Sequence, residues 1–124
     1  MSDDAGWRIQ IKKYPKLTSV GSKRKDTEVE TWGSGKYAGK PHEGFYTQEQ
    51  IRRIVRYAAE RNITIVPEID VPGHSAAAIV SYPELKLSAR PLPEIPVSFN
   101  DGAAFDPTSE RTYQFIGDVM TELA

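Results

Sequence analysis

The sequence has no cysteine, which excludes disulfides, thiolate nucleophiles and cysteine-ligated metals. It has only two histidines, His42 and His74, too few for a histidine-rich metal site. No stretch approaches the ~20 consecutive apolar residues of a membrane-spanning helix. Neither sign of charge dominates. There are 16 basic and 17 acidic side chains, a formal net charge of -1 and a pI near 6.1. That balance provides no electrostatic basis for binding nucleic acid or an anionic membrane. Met1-Ser2-Asp3-Asp4 lacks the basic and apolar regions of a signal peptide. The absence of cysteine favours neither a secreted nor an intracellular compartment. Hydrophobic residues fill 39% of the 124 positions, a low share for a globular domain. They gather in a few short stretches, as in one part of a larger core.

A chain of this length predicts one domain. Trp7, Ile9 and Ile11 alternate with Arg8 and Gln10, which predicts a short strand or extended segment. Gly21 to Gly44 is polar and rich in glycine and lysine, with no helical period. It reads as an irregular excursion, and one this long is usually functional or disordered. Its aromatics, Trp32 and Tyr37, suit either stacking on a sugar or packing the loop onto the body, the commoner use. Thr47 and Gln50 form a capping box ahead of Ile51, Ile54, Val55, Ala58 and Ala59 at helical spacing. Asn62 supplies a C-terminal turn. Ile63 to Pro67 is apolar and β-branched, which predicts a buried strand. Helix, tight turn and parallel-type strand is the grammar of an α/β fold.

Ala76 to Tyr82 predicts a short helix, and the prolines of Pro83 to Phe105 a loop. Thr108 or Ser109 caps a final helix with Tyr113, Phe115, Ile116, Val119, Met120 and Leu123 as apolar positions. No stop signal closes that helix before Ala124, and there is no internal repeat.

Two constellations can carry chemistry. Glu68, Asp70 and His74 directly follow the predicted strand Ile63–Pro67, and parallel α/β folds place active sites at strand C-termini. Such groups serve acid–base work, orientation or metal binding. They serve equally as loop caps and a satisfied structural histidine, and spacing alone leaves both readings open. A metal reading would take Asp70 and His74 as ligands and lacks an evident third. Asp3 and Asp4 precede Gly6-Trp7-Arg8. Adjacent carboxylates on an extended chain diverge, so one at most would face a given pocket. A solvated pair is the commoner outcome.

Three segments resemble glycoside hydrolase family 20. Asp3 to Leu17 is similar to the family's segment at barrel strand two. Gly44 to Ile51 is similar to its next helix start, and Val66 to His74 to its strand-three signature. They occur in the family's order and spacing, and the likeness is loosest between Lys86 and Phe105. The resemblance implies an α/β fold, a fragment of a (β/α)8 TIM barrel. Residues 1–124 would run roughly from the end of strand 2 to the helix after strand 3, with strand 1 and strands 4–8 absent.

It further implies a retaining exo-β-N-acetylhexosaminidase. Its substrates would be glycans ending in β-linked N-acetylglucosamine or N-acetylgalactosamine, and it would use no cofactor and no metal. Catalysis in the family is substrate-assisted, outside the two-carboxylate rule for glycosidases. The substrate's acetamido oxygen attacks the anomeric carbon while a glutamic acid protonates the leaving oxygen. The family's Asp-Glu pair lies in a His-x-Gly-Gly-Asp-Glu segment after strand four, and no such segment occurs here. The strand-one arginine and the tryptophans around the acetamide pocket have no counterpart either.

The resemblance carries over Asp3 and His74 as a hydrogen-bond network supporting the acid, and Asp70 as a structural or substrate-orienting group. Asp4 and Glu68 match motif positions without an assigned chemistry. Ala5 departs from a common glutamine. The partner of this chain would be the remainder of its own barrel. The alternative is a truncated, non-catalytic carbohydrate binder or decayed gene product.

Overall fold

The computed structural model describes residues 1–31, 33–97 and 103–124. Trp32, one of the two loop aromatics, lies outside them. The chain opens with a hairpin, β1 (Ser2–Asp3) against β2 (Gly6–Trp7), paired antiparallel with Asp3 opposite Gly6. The alternation continues beyond β2. Trp7, Ile9 and Ile11 are buried, Arg8 and Gln10 only partly so. Ile9 forms a parallel bridge to Tyr46, closed by Gln10 N–H to Tyr46 O at 2.9 Å and Tyr46 N–H to Arg8 O at 2.9 Å. The core forms around this segment. It receives Leu17 from α1 (Lys16–Ser19), Ala76 to Ile79 from α3 (Ala76–Ser81), and Phe115 and Val119 from α4 (Glu110–Leu123). Phe115 is the hub, with edge-on contacts to Trp7, Tyr14 and Phe105 at 6.2, 4.8 and 5.5 Å.

Polar contacts lock this hub. Tyr14 donates to Asp118 at 2.7 Å, and Lys13 pairs with the same oxygen at 2.7 Å. Burial first, then Asp118, push the Tyr14 hydroxyl up to about 12. Glu122 accepts from the backbone of Lys12 and Lys13 and from Gln48 Nε2, so the end of α4 is tied to two other segments.

The polar excursion is more ordered than its composition predicts. β3 (Lys23–Arg24) pairs antiparallel with β4 (His42–Glu43), and Glu28 bridges Tyr37 further out. The result is an antiparallel ribbon, turned where Gly33 and Gly35 adopt positive φ. Tyr37 is 49% exposed.

α2 (Gln48–Ala59) begins as predicted, with Thr47 and Gln50 completing both halves of the capping box. It ends before Asn62, which takes the left-handed conformation at φ 56°. Its apolar face is covered only in part, with Ile51 packed against the core. Ala58 is buried, but Ile54, Val55 and Tyr57 are 40%, 43% and 61% exposed.

The buried strand expected at Ile63–Pro67 is a correction. That run forms no strand among the described residues, and Val66 is 82% exposed. A parallel strand is buried only when neighbours cover both its faces and edges. Among the described residues the chain start meets the backbone just after this run, where the Met1 amino group donates to Glu68 O at 2.6 Å and Asp70 N–H to Ser2 Oγ at 2.9 Å. The final helix starts after Ser109, one of the two predicted caps, although its hydroxyl makes no capping bond.

α1 and α3 approach so closely that a side chain at Gly21 has no room. A Cβ there would lie 2.5 Å from Leu17 O and 2.8 Å from Ser81 Oγ. The backbone oxygen cannot rotate away. Gly21→Ala should therefore destabilise the protein by about 1–3 kcal/mol, the usual cost of overpacking. Urea denaturation of the two proteins measures it, and an unchanged midpoint would contradict the packing described.

Candidate active site

The site forms where the β1–β2 turn meets the segment leading into α3. Helix α3 is short and alanine-rich, and its own N-cap, Ser75, makes no side-chain capping bond. The orphan amide of Ala76 is instead satisfied from 72 residues away, by Asp4 Oδ1 at 3.0 Å. Asp4 is 2% exposed. Its second oxygen lies 3.5 Å from His74 Nδ1, and Asp3 Oδ1 lies 3.7 Å from the same nitrogen. Asp3 Oδ1 also accepts the Asp4 amide at 2.6 Å.

His74 is held with φ at +49°, a region non-glycine residues seldom occupy. Such strain persists only where the surroundings impose it. They do so here: Ser75 N–H bonds to Ala103 O at 3.4 Å and Phe105 N–H to Pro72 O at 2.9 Å, pinning the chain on both sides.

The structure thus brings Asp3 and His74 together. It adds Asp4, to which the family resemblance assigns no chemistry, although adjacent carboxylates on an extended chain are expected to diverge. The tight turn after Asp4 defeats that expectation and lets both reach one imidazole. Asp70 stays on the approach to this cluster, tied through its backbone to Ser2. The ligand atoms of Asp3, Asp4 and His74 lie within 4.8 Å of one another, close enough to share one cation. The metal grouping imagined from sequence, Asp70 with His74, is therefore not the one that geometry assembles.

Beside the cluster lies an open cavity of about 570 Å³, lined among others by Asp3, Arg8, Arg24, Glu28, Glu68 and Val97. Arg8 is held below the ordinary arginine value by burial and by the nearby Arg24 charge. Arg24 is lowered by burial. His42, across the ribbon from Arg24, is lowered by desolvation, then by Arg24 and Arg8. A carboxylate–imidazole cluster at one edge of an open cleft suits proton-transfer chemistry on a ligand in that cleft.

The family model described as glycosyl hydrolase family 20, catalytic domain, matches residues 1–124. The chain belongs to this family. A β-hexosaminidase of Porphyromonas gingivalis is 40% identical over 124 residues, covering 100% of this chain and 15% of that protein. A β-hexosaminidase of Vibrio furnissii is 42% identical over 125 residues, again covering 100% of this chain and 20% of that protein. The fold agrees. The crystal structure of a β-N-acetylhexosaminidase superposes with a TM-score of 0.85 at 35% identity, over 98% of this chain and 24% of the other. The Streptomyces plicatus N-acetyl-β-hexosaminidase in complex with Thio-NAglucal gives 0.77 at 38% identity, over 98% and 22%. The chain therefore spans less than a third of the length of these relatives. The catalytic domain of family 20 glycosidases is a TIM barrel, and this chain corresponds to part of one.

Proposed function

We propose that this chain is the portion of a family 20 barrel running from the end of strand two to the helix after strand three. The parent protein is then a retaining exo-β-N-acetylhexosaminidase acting on glycans that end in β-linked N-acetylglucosamine or N-acetylgalactosamine. The observation that carries this reading is the convergence of Asp3 and Asp4 on His74, distant from them in sequence, at the edge of an open cleft. Relatives named β-hexosaminidase and N,N'-diacetylchitobiase support the reaction class.

In this reading the substrate's acetamido oxygen attacks the anomeric carbon, and a glutamic acid outside residues 1–124 protonates the leaving oxygen. Asp3 and His74 supply support. A carboxylate and an imidazole beside that acid fix its rotamer and its protonation. Asp4 caps the helix that follows His74. Asp70 orients the sugar or the loop that bears it. The exposed faces of α2 and Ile63–Val66 are then the surfaces on which the rest of the barrel packs. Reading the gene on both sides tests this. The frame should run past Ala124 into a strand followed by Gly-Gly-Asp-Glu. A stop codon directly after Ala124 would overturn the assignment of a catalytic parent.

A further inference from the structure

We infer that Arg24, carried on the ribbon, is a positioning residue for the proposed reaction: it clamps the turn that aims Asp3 and Asp4 at His74. This rests on the function proposed above. The link is the carbonyl of Ala5, the residue that turns the chain between the two carboxylates and β2. Arg24 Nη1 donates to Ala5 O at 2.7 Å, and Arg8 Nη2 donates to the same oxygen at 3.1 Å. Both donors are charged, and charge-assisted bonds are about twice as strong as neutral ones.

Each guanidinium is itself fixed. Arg8 Nη1 donates to Ser22 O at 2.6 Å and Gly44 O at 2.8 Å, at the two roots of the ribbon. Arg24 Nε donates to Thr27 Oγ1 at 3.0 Å. Gly6 is part of the device. A Cβ there would lie 2.2 Å from Arg8 Nη2, so only glycine lets the Arg8 guanidinium cross the hairpin to Ala5.

Placing two half-buried cations on one carbonyl is costly, since each repels the other and burial disfavours both. A single neutral donor would satisfy that oxygen. What the second cation adds is orientation of the Ala5–Gly6 peptide, and through it of the turn that carries Asp4. Asp4 has no slack to lose. One oxygen caps Ala76 and the other faces His74. The ribbon is joined in turn to residues 94–97, through Lys25 with Glu94 and Glu28 N–H to Val97 O. Arg24 is thus the point at which the excursion Gly21–Gly44 grips the cluster.

The test uses the full-length polypeptide with Arg24→Gln, Arg24→Lys, His74→Ala and the Gln/Ala double variant. Arg24→Gln should lower kcat on an aryl N-acetyl-β-glucosaminide by about 10-fold and shift KM by less than about twofold, because the lost interaction acts on the catalytic step. Arg24→Lys should recover only part, since a flexible ammonium does not present its donors in the fixed geometry of the planar fork. In the His74→Ala background the Arg24→Gln effect should shrink to less than about twofold, as for residues acting through one network. Amide exchange at Ala76 should quicken by about 10-fold in Arg24→Gln, because its acceptor Asp4 is loosened.

A full effect retained in the His74→Ala background would overturn the inference. So would an unchanged kcat. If the wild-type polypeptide hydrolyses no hexosaminide, the proposed function fails, and Ala76 exchange then decides alone. Unaltered protection in Arg24→Gln would show that Arg24 does not hold the turn.

Discussion

His74→Ala in the full-length polypeptide should lower kcat for an aryl N-acetyl-β-glucosaminide by about 100-fold, the lower end of what general acid–base groups contribute. The protein should stay folded. The imidazole side chain is 52% exposed, so its removal opens no core cavity. Asp4 keeps its bond to Ala76 without it. The left-handed backbone at position 74 is strained for either residue, so the exchange should cost no more than about 1 kcal/mol. Activity and thermal stability should therefore separate. A large fall in melting temperature with wild-type specific activity would mean that His74 is structural. Asp4 makes a poorer probe, because replacing it also uncaps α3 and so mixes folding with chemistry.

The second large effect concerns the 124 residues alone. They should release no aryl group from the same substrate under conditions where the full-length polypeptide turns over readily. In the proposed mechanism the acid lies in a Gly-Gly-Asp-Glu segment, which residues 1–124 do not contain, and the two carboxylates beside His74 are both engaged. Asp4 is engaged at Ala76. Asp3 accepts a backbone amide and faces His74. Loss of general acid catalysis alone costs about 10²- to 10⁴-fold, before the absent sugar-binding groups are counted. Turnover by the isolated chain that survives repurification and controls for contaminating host enzyme would contradict the assignment of roles.

Local signals in the sequence transferred well to the structure. The Thr47–Gln50 capping box, the left-handed turn at Asn62 and the buried alternation of Trp7, Ile9 and Ile11 depend on neighbours within a few residues. Features that depend on distant partners did not transfer. Ile63–Val66 has the composition of a buried strand but stands exposed, since strand burial comes from adjoining chain. The ribbon from Lys23 to Glu43 was invisible to periodicity because its pairing is short and its residues polar. In the site, the family resemblance pointed to Asp3 and His74 as neighbours, and they lie 3.7 Å apart. The approach of Asp4 was not legible, because the turn at Ala5 that redirects it is fixed by Arg8 and Arg24 rather than by local propensity. The α3 cap was likewise hidden: a helix capped by a residue 72 positions away leaves no mark next to its own start.

The most direct measurement of the central claim is the anomeric configuration of the sugar first released by the full-length polypeptide, followed by proton NMR during hydrolysis of an aryl N-acetyl-β-glucosaminide. Substrate-assisted catalysis by a family 20 barrel predicts the β-anomer, appearing before mutarotation builds up the α-form. Initial release of the α-anomer, or no hydrolysis at all, would contradict the account.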